Sequence, residues 1–225
     1  MDAPNKLIII GDSAFAEIAY EYFTHDSDYD VAAFSVEKAY LKKRTLFNLP
    51  IVPFEKLEEI YDPFSHSFFS AMVYTQKNAL RTRLYLQAKQ KGYKPASYIS
   101  TRAFVWRNCI VGEHCFIFED NTVQPFVRIG NNVVLWSGNH IGHHSIIKDN
   151  CFISSHVVIS GFCEIGQSCF IGVNTTIANN LDIGDFCTVG AGALITANVP
   201  ANQLIVGHWK KSSIEAAVQK EVIKK

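Results

Sequence analysis

The chain has 225 residues, 48% of them hydrophobic and 19% charged, a composition that excludes a disordered polypeptide and is large enough to bury a core. Lys and Arg number 21 and Asp and Glu 21, and this balance argues against a general nucleic-acid binder, which needs a basic excess, while leaving room for a small anionic ligand at a local site. The longest aliphatic runs, such as Leu7-Ile8-Ile9-Ile10, fall far short of the roughly 20 residues that span a bilayer, and the start MDAPNKLIII lacks the pattern of a signal peptide, so no membrane insertion and a cytoplasmic location are expected.

In chain order, residues 1–98 alternate strand and helix signals. Lys6–Ile10 is an apolar strand, and Ala14 to Phe23 a helix. Tyr29–Phe34 and Leu49–Val52 follow as strands, then a helix over Phe54–Ile60, a strand over Phe69–Tyr74 and a helix over Asn78–Lys91. That alternation predicts a small parallel α/β sheet of Rossmann-like form. The first turn, Gly11-Asp12-Ser13-Ala14-Phe15-Ala16, approximates the phosphate-binding fingerprint with Ser13 and Ala16 in place of two glycines. It reads either as a nucleotide site or as an ordinary strand–turn–helix. Gly11, Asp12 and Ser13 in this turn, with Ser35 and Glu37 after the second strand, are the candidate substrate-binding residues.

From Ile99 the period changes to six. Ile99, Val105, Val111, Ile117, Val123 and every sixth residue to Ile195 are Ile, Val or Leu, giving 17 consecutive hexads. Four positions on, small residues dominate, and all six cysteines (Cys109, Cys115, Cys151, Cys163, Cys169 and Cys187) fall there. One shared phase and no Cys-x-x-Cys pair predict small buried hydrophobes rather than disulfides, redox or metal chemistry. A six-residue repeat is the signature of a parallel β-helix: a three-sided coil of 18 residues per turn, with turns about 4.8 Å apart. Gly112, Gly130, Gly166 and Gly184 recur every 18 residues, interrupted by Lys148, as crowded corners require. Ala201–Trp209 follows as a tail, and Ser212–Lys224 as a short C-terminal helix with Ser212 or Ser213 as cap. The domains are thus 1–98, 99–205 and 206–225. The Lys210-Lys211 pair either neutralises a phosphate or is a solvated surface.

Four histidines cluster: His140, His143, His144 and His156. His140 is expected to be structural. His143 and His144 are the third and fourth residues of a hexad and point outward. One coil after His143 comes Gly161, a cleft wall without a side chain; His156 lies between Gly138 and Asn174 in its own 18-residue stack. An outward imidazole suits proton removal from an amine or hydroxyl attacking a thioester, with backbone amides or Asn174 stabilising the oxyanion; the alternative is surface decoration. Three-histidine metal sites of the γ-carbonic-anhydrase kind need a third histidine two turns away, which this chain lacks, so no metal is expected.

Taken together, Ile8-Ile9-Ile10-Gly11, Ile141-Gly142-His143-His144-Ser145, Ile165-Gly166 through Ile171-Gly172-Val173-Asn174, and Val189-Gly190-Ala191-Gly192-Ala193 resemble the sialic-acid O-acetyltransferase and bacillosamine or perosamine N-acetyltransferase (NeuD/PglD-like) family. The resemblance implies a left-handed parallel β-helix and a homotrimer with acetyl-CoA in the grooves between solenoids. It implies a nucleotide-linked amino sugar on the amino-terminal domain and His143 as base. It places pantetheine against Gly161, Val173 and Ala191, with Val206-Gly207 towards the adenine end; Asn174 and Lys210 complete the candidate coenzyme-binding residues. The chain departs from the family at three places. His144 replaces a carboxylate beside the base, leaving Glu119, Asp120 or Asp149 to supply one. Phe152 replaces a second histidine, whose role passes to His156. The run Phe34-Ser35-Val36-Glu37 is altered where nucleotide-contacting acids stand. The reaction expected is N-acetylation of a nucleotide-linked amino sugar. The alternatives are sugar or sialic-acid O-acetylation and a non-catalytic sugar-nucleotide-binding trimeric scaffold.

Overall fold

The computed structural model describes residues 5–209, side chains through Gly207. The amino-terminal part contains β1 (Asn5–Ile10), α1 (Ala14–His25), β2 (Tyr29–Val36), β3 (Thr45–Leu46), β4 (Leu49–Pro53), α2 (Leu57–Ile60), β5 (His66–Ser70), α3 (Ala79–Gln90) and β6 (Lys94–Pro95). Its sheet runs β3-β4-β2-β1-β5-β6, parallel except for the β3–β4 hairpin. Central β1 is apolar on both faces because both are covered. Leu7 and Ile9 pack with Phe15, Ala19 and Phe23 of α1, while Ile8 and Ile10 pack with Leu84, Tyr85 and Ala88 of α3.

One strand lies elsewhere than the sequence suggests. Phe69–Tyr74 was expected to be a strand, whereas β5 spans His66–Ser70 and the chain leaves the sheet at Ala71. The apolar residues beyond Ser70 serve a different surface: the Tyr74 ring lies 4.0 Å from that of Phe170 and 5.5 Å from that of Phe152, both on the solenoid. The Phe54–Ile60 helix is a 3-10 turn over Phe54–Lys56 followed by the single turn of α2.

From Tyr98 onward, two-residue strands form three parallel sheets of seven, seven and five strands. Each strand pairs with the one 18 residues on: Phe116 with Val134, Thr122 with His140, and Arg128 with Ile146. The first sheet contains 116–117, 134–135 and 152–153, the second 122–123, 140–141 and 158–159, and the third 128–129, 146–147 and 164–165. Ile117, Val123, Ile141, Ile153 and Ile171 fill the interior with no exposed surface. The stacking continues past the expected tail boundary: Leu204–Ile205 pairs with Thr188–Val189, and His208–Trp209 with Leu194–Ile195, so the last coil is shortened but still part of the prism.

The cysteines are more than small hydrophobes. Each donates its thiol hydrogen to a carbonyl in the next coil, as in Cys151 to Gly166 O at 3.0 Å and Cys169 to Gly184 O at 3.2 Å. Other residues of the same phase do likewise: Ser145 to Ser160 O at 2.9 Å, Thr175 to Gly190 O at 3.2 Å, and Asn121 to Trp136 O at 2.8 Å. Where the position carries a donor, that donor reaches a buried carbonyl, while Val127, Val133 and Val157 fill the same niche with apolar atoms alone. Burial pushes the Cys115 thiol up to about 12, which leaves it inert as a nucleophile.

The amino-terminal part rests on the outer face of the first sheet. Phe15 packs on Phe69, Phe116, Phe118 and Trp136 with ring centroids 5.7–6.2 Å apart. Asp26 accepts from Tyr98 Oη (2.5 Å), Thr101 N (3.1 Å) and Thr101 Oγ1 (2.6 Å), and the bonds from Thr101 and Tyr98 hold its carboxyl below the usual range. At the edge joining the third and first sheets, Arg81 donates to Asn150 O and Cys151 O at 2.9 and 3.0 Å. His114 closes the same seam. Its Nε2 accepts from Ser70 N at 2.8 Å and its Nδ1 bonds Asn132 Oδ1 at 2.9 Å, which fixes a neutral ring with the proton on Nδ1; burial pushes its pKa down to about 3.

Candidate active site

Among the described residues nothing covers the second and third sheets, and His143, His144 and His156 lie on the edges of the second. Residues 142–145 turn from the second sheet to the third, and residues 154–157 from the first to the second. The fourth residue of nearly every hexad adopts a left-handed conformation there, including His144 (φ 59°), His156 (φ 58°) and Asn174 (φ 57°). Asn, Asp and His tolerate it, but Phe126 (φ 66°) and Phe162 (φ 58°) do so at a cost.

His143 is exposed and held from several sides. Its N–H donates to Gln124 Oε1 at 2.9 Å, and its ring meets Phe162 edge-on at 5.0 Å. The ring also lies directly over Gly161, where a Cβ would come within 2.8 Å of Cε1 and 2.9 Å of Nε2. The missing side chain at Gly161 is therefore what admits the imidazole. His143 Nδ1 is 3.1 Å from His144 Nδ1. The three carboxylates considered as partners are engaged elsewhere. Glu119 accepts from Tyr22 Oη at 2.7 Å, Asp120 pairs with Arg102 at 3.2 Å, and Asp149 accepts from Asn131 N at 2.7 Å.

His156 stands on the other edge, over Gly138, where a Cβ would lie 2.6 Å from its Nδ1. Val173, Asn174 and Ala191 share that edge. One chain thus places His143, His144 and Gly161 on one edge and His156, Val173, Asn174 and Ala191 on the other, across the sheet of His140, Val158 and Thr176. Phe152 belongs to neither edge. It is buried on the covered first sheet beneath Arg81, whose guanidinium is 5.5 Å from its ring.

The nucleotide-side candidates form a second site, a cleft of about 480 Å³ lined by Gly11, Asp12, Ser13, Val36, Glu37, Tyr40, Thr75, Gln76, Leu80 and Arg83 among others. Gly11 is required there. Its φ is +129°, its N–H donates to Ser35 O at 2.7 Å, and a Cβ would lie 2.7 Å from Met72 Cε. Ser13 precedes α1 with a hydroxyl that makes no capping bond. Both oxygens of Glu37 accept from Arg83 at 2.9 Å, and those bonds hold its carboxyl below the usual range. Ser35 is wholly buried and does not line the cleft, because alternation along β2 turns its side chain into the sheet's packing. Arg83 and Tyr40 were not among the sequence candidates, since nothing in the helix or turn that bears them marks a ligand contact. Lys210, Lys211 and the Ser212–Lys224 helix lie outside the described residues.

Residues 126–161 and 162–197 each match the family described as bacterial transferase hexapeptide (six repeats). Similar solved structures span both parts of the chain. The acetyltransferase domain of PglB from Neisseria gonorrhoeae FA1090 is 20% identical over 90% of this chain and 97% of that one, with a TM-score of 0.81. A mutant of perosamine N-acetyltransferase from Caulobacter crescentus, in complex with CoA and GDP-perosamine, is 22% identical over 91% and 95%, with a TM-score of 0.79. The chain has the fold of these acetyltransferases, a left-handed parallel β-helix behind a small α/β sheet. WeeI from Acinetobacter baumannii AYE is 20% identical over 89% and 96%, with a TM-score of 0.68. No curated protein sequence matches the chain. Among the described residues no helix is long and apolar enough to cross a membrane.

Proposed function

We propose that the chain is an acetyl-CoA-dependent N-acetyltransferase acting on a nucleotide-linked amino sugar, in the cytoplasm. The observation that carries this reading is the His143 imidazole laid over bare Gly161 on an uncovered solenoid edge. Support comes from the fold of both parts, which is that of a perosamine N-acetyltransferase bound to CoA and GDP-perosamine.

The sugar amine attacks the thioester carbonyl carbon and the N–C bond forms. His143 Nε2 takes a proton from the attacking nitrogen. Backbone N–H groups or the Asn174 amide of the neighbouring chain hold the oxyanion. As it collapses the C–S bond breaks, and the CoA thiolate leaves with the proton from the imidazolium. The products are the N-acetyl sugar nucleotide and CoA. Holding amine and thioester in contact supplies much of the acceleration. Pantetheine runs between Gly161 of one chain and Val173 and Ala191 of its neighbour, since one chain carries these on opposite edges of the second sheet. Gly11, Asp12 and Ser13 face the sugar nucleotide's phosphates at the start of α1, with Glu37 and Arg83 at the far side of the cleft.

The turn bearing His143 joins the second and third sheets, so it is the edge opposite the covered first sheet. A chain's own cleft and its own His143 therefore lie on opposite sides of the prism. The reading has the acceptor held by one chain meet His143 of a neighbour in a homotrimer, which sedimentation velocity checks. Thiol release from acetyl-CoA, measured against a panel of nucleotide-linked amino sugars and their hydroxyl counterparts, tests the activity. Turnover with an amine that falls at least about tenfold in His143→Ala supports it. Turnover only with hydroxyl acceptors, or binding of sugar nucleotides without any turnover, overturns it.

A further inference from the structure

The rings of His143 and His144 are neighbours in sequence and converge: Nδ1 lies 3.1 Å from Nδ1. A hydrogen bond between two imidazole nitrogens needs a proton on one and a lone pair on the other. We propose that His144 is a positioning residue that fixes the tautomer of His143, accepting its Nδ1–H and so leaving the lone pair of His143 on Nε2. This rests on the reading of His143 as the base.

The surroundings of His144 carry the argument. Its ring lies between Phe126 (4.5 Å, 26°) and Phe162 (4.8 Å, 18°), so its orientation is set by stacking on both faces. Both phenylalanines are about half-exposed, at 55% and 53%, and both have left-handed backbones, a doubly unfavourable use of a large apolar residue. His143 is held by Gln124, by the edge of Phe162 and by contact with Gly161. The carboxylates Glu119, Asp120 and Asp149 are bound elsewhere, which leaves His144 as the ring's side-chain hydrogen-bond partner.

The arrangement suits proton acceptance. Neutral His143 donates Nδ1–H to the His144 Nδ1 lone pair, and His144 keeps its own proton on Nε2. When His143 Nε2 takes the proton from the amine, the imidazolium still donates through Nδ1, and no proton passes to His144. The reverse arrangement, with His144 donating, puts the His143 proton on Nε2 and closes the base. A neutral acceptor thus orients the base without a carboxylate's charge, sufficient for an amine, which is itself a competent nucleophile.

Imidazole nitrogen NMR of the full chain in mildly alkaline buffer, combined with kinetics, tests the proposal. The wild type is expected to show His143 as its Nδ1–H tautomer. His144→Phe preserves the stack and removes the acceptor; it should abolish that preference and lower kcat about 10- to 100-fold, with KM for acetyl-CoA within about twofold. His144→Glu should restore the tautomer and most of kcat. An unchanged tautomer in His144→Phe, an altered tautomer with unchanged kcat, or failure of His144→Glu to restore either one overturns the proposal. If the wild type acetylates no acceptor, the proposed function fails on that result, while the tautomer measurement still decides the pairing.

Discussion

Replacing Gly161 with alanine separates the geometry of the edge from the stability of the fold. A Cβ there would lie 2.8, 2.9 and 3.2 Å from Cε1, Nε2 and Nδ1 of His143. Carbon contacts relax to about 3.5–4.0 Å, so the ring must retreat by about 0.7 Å or change rotamer. A retreat of that size breaks the 3.1 Å contact with His144 Nδ1. The ring is exposed and moves at little cost, and replacing glycine restricts the unfolded chain, so stability should change by less than about 1 kcal/mol. Activity should not be spared: displacing a catalytic group by about 1 Å costs on the order of 100-fold. Thiol release from acetyl-CoA with the best amine acceptor, beside a thermal melt, reads both quantities. Gly138→Ala provides the contrast, since Gly138 has φ +75° and its Cβ would strike His156, so this variant should lose stability by about 1–2 kcal/mol. A Gly161→Ala enzyme with wild-type kcat and an unchanged melt would refute the assignment of His143.

Acid should loosen the seam between the two parts. His114 has its pKa pushed from 6.5 down to about 3 by burial, so between these values the unfolded chain binds a proton that the folded chain refuses. The contribution is present above the unfolded value and lost as pH falls, on the order of 4 kcal/mol across the window; denaturant melts of His114→Gln should show a flatter pH dependence than wild type, and an equal slope would refute it. Phe15→Ala removes a ring shared by α1 and the solenoid face and should cost about 3–5 kcal/mol in denaturant melts; a loss under about 1 kcal/mol would mean the two parts do not fold as one core. Arg83→Ala frees both oxygens of Glu37 in the cleft and should raise KM for the sugar nucleotide about tenfold or more while leaving KM for acetyl-CoA unchanged, by steady-state kinetics.

The sequence alone determined the solenoid, because stacked parallel coils force one interior aliphatic per face and make the period of six visible in every hexad. It also pointed to outward histidines beside glycine, since Gly161 and Gly138 fall one coil from His143 and His156. At the small-residue position the sequence shows size alone; that the cysteine thiols also donate to the carbonyl of the next coil is visible only in the structure. The strand ending at Ser70 was mislocated because apolar residues serving the sheet and those serving the solenoid are contiguous in the chain. Tertiary structure decided the rest. Burial of Ser35, the Glu37–Arg83 pair and the stacking of His144 between Phe126 and Phe162 depend on residues far apart in sequence or on backbone conformations that residue type does not specify. The separation of the histidine edge from the cleft also belongs to the fold: outward Phe116, Val134 and Phe152 mark the first face as apolar where the other faces carry Thr122, His140, Arg128 and Glu164, but only the tertiary structure shows that the amino-terminal sheet is what covers that face and which edge then lies opposite it.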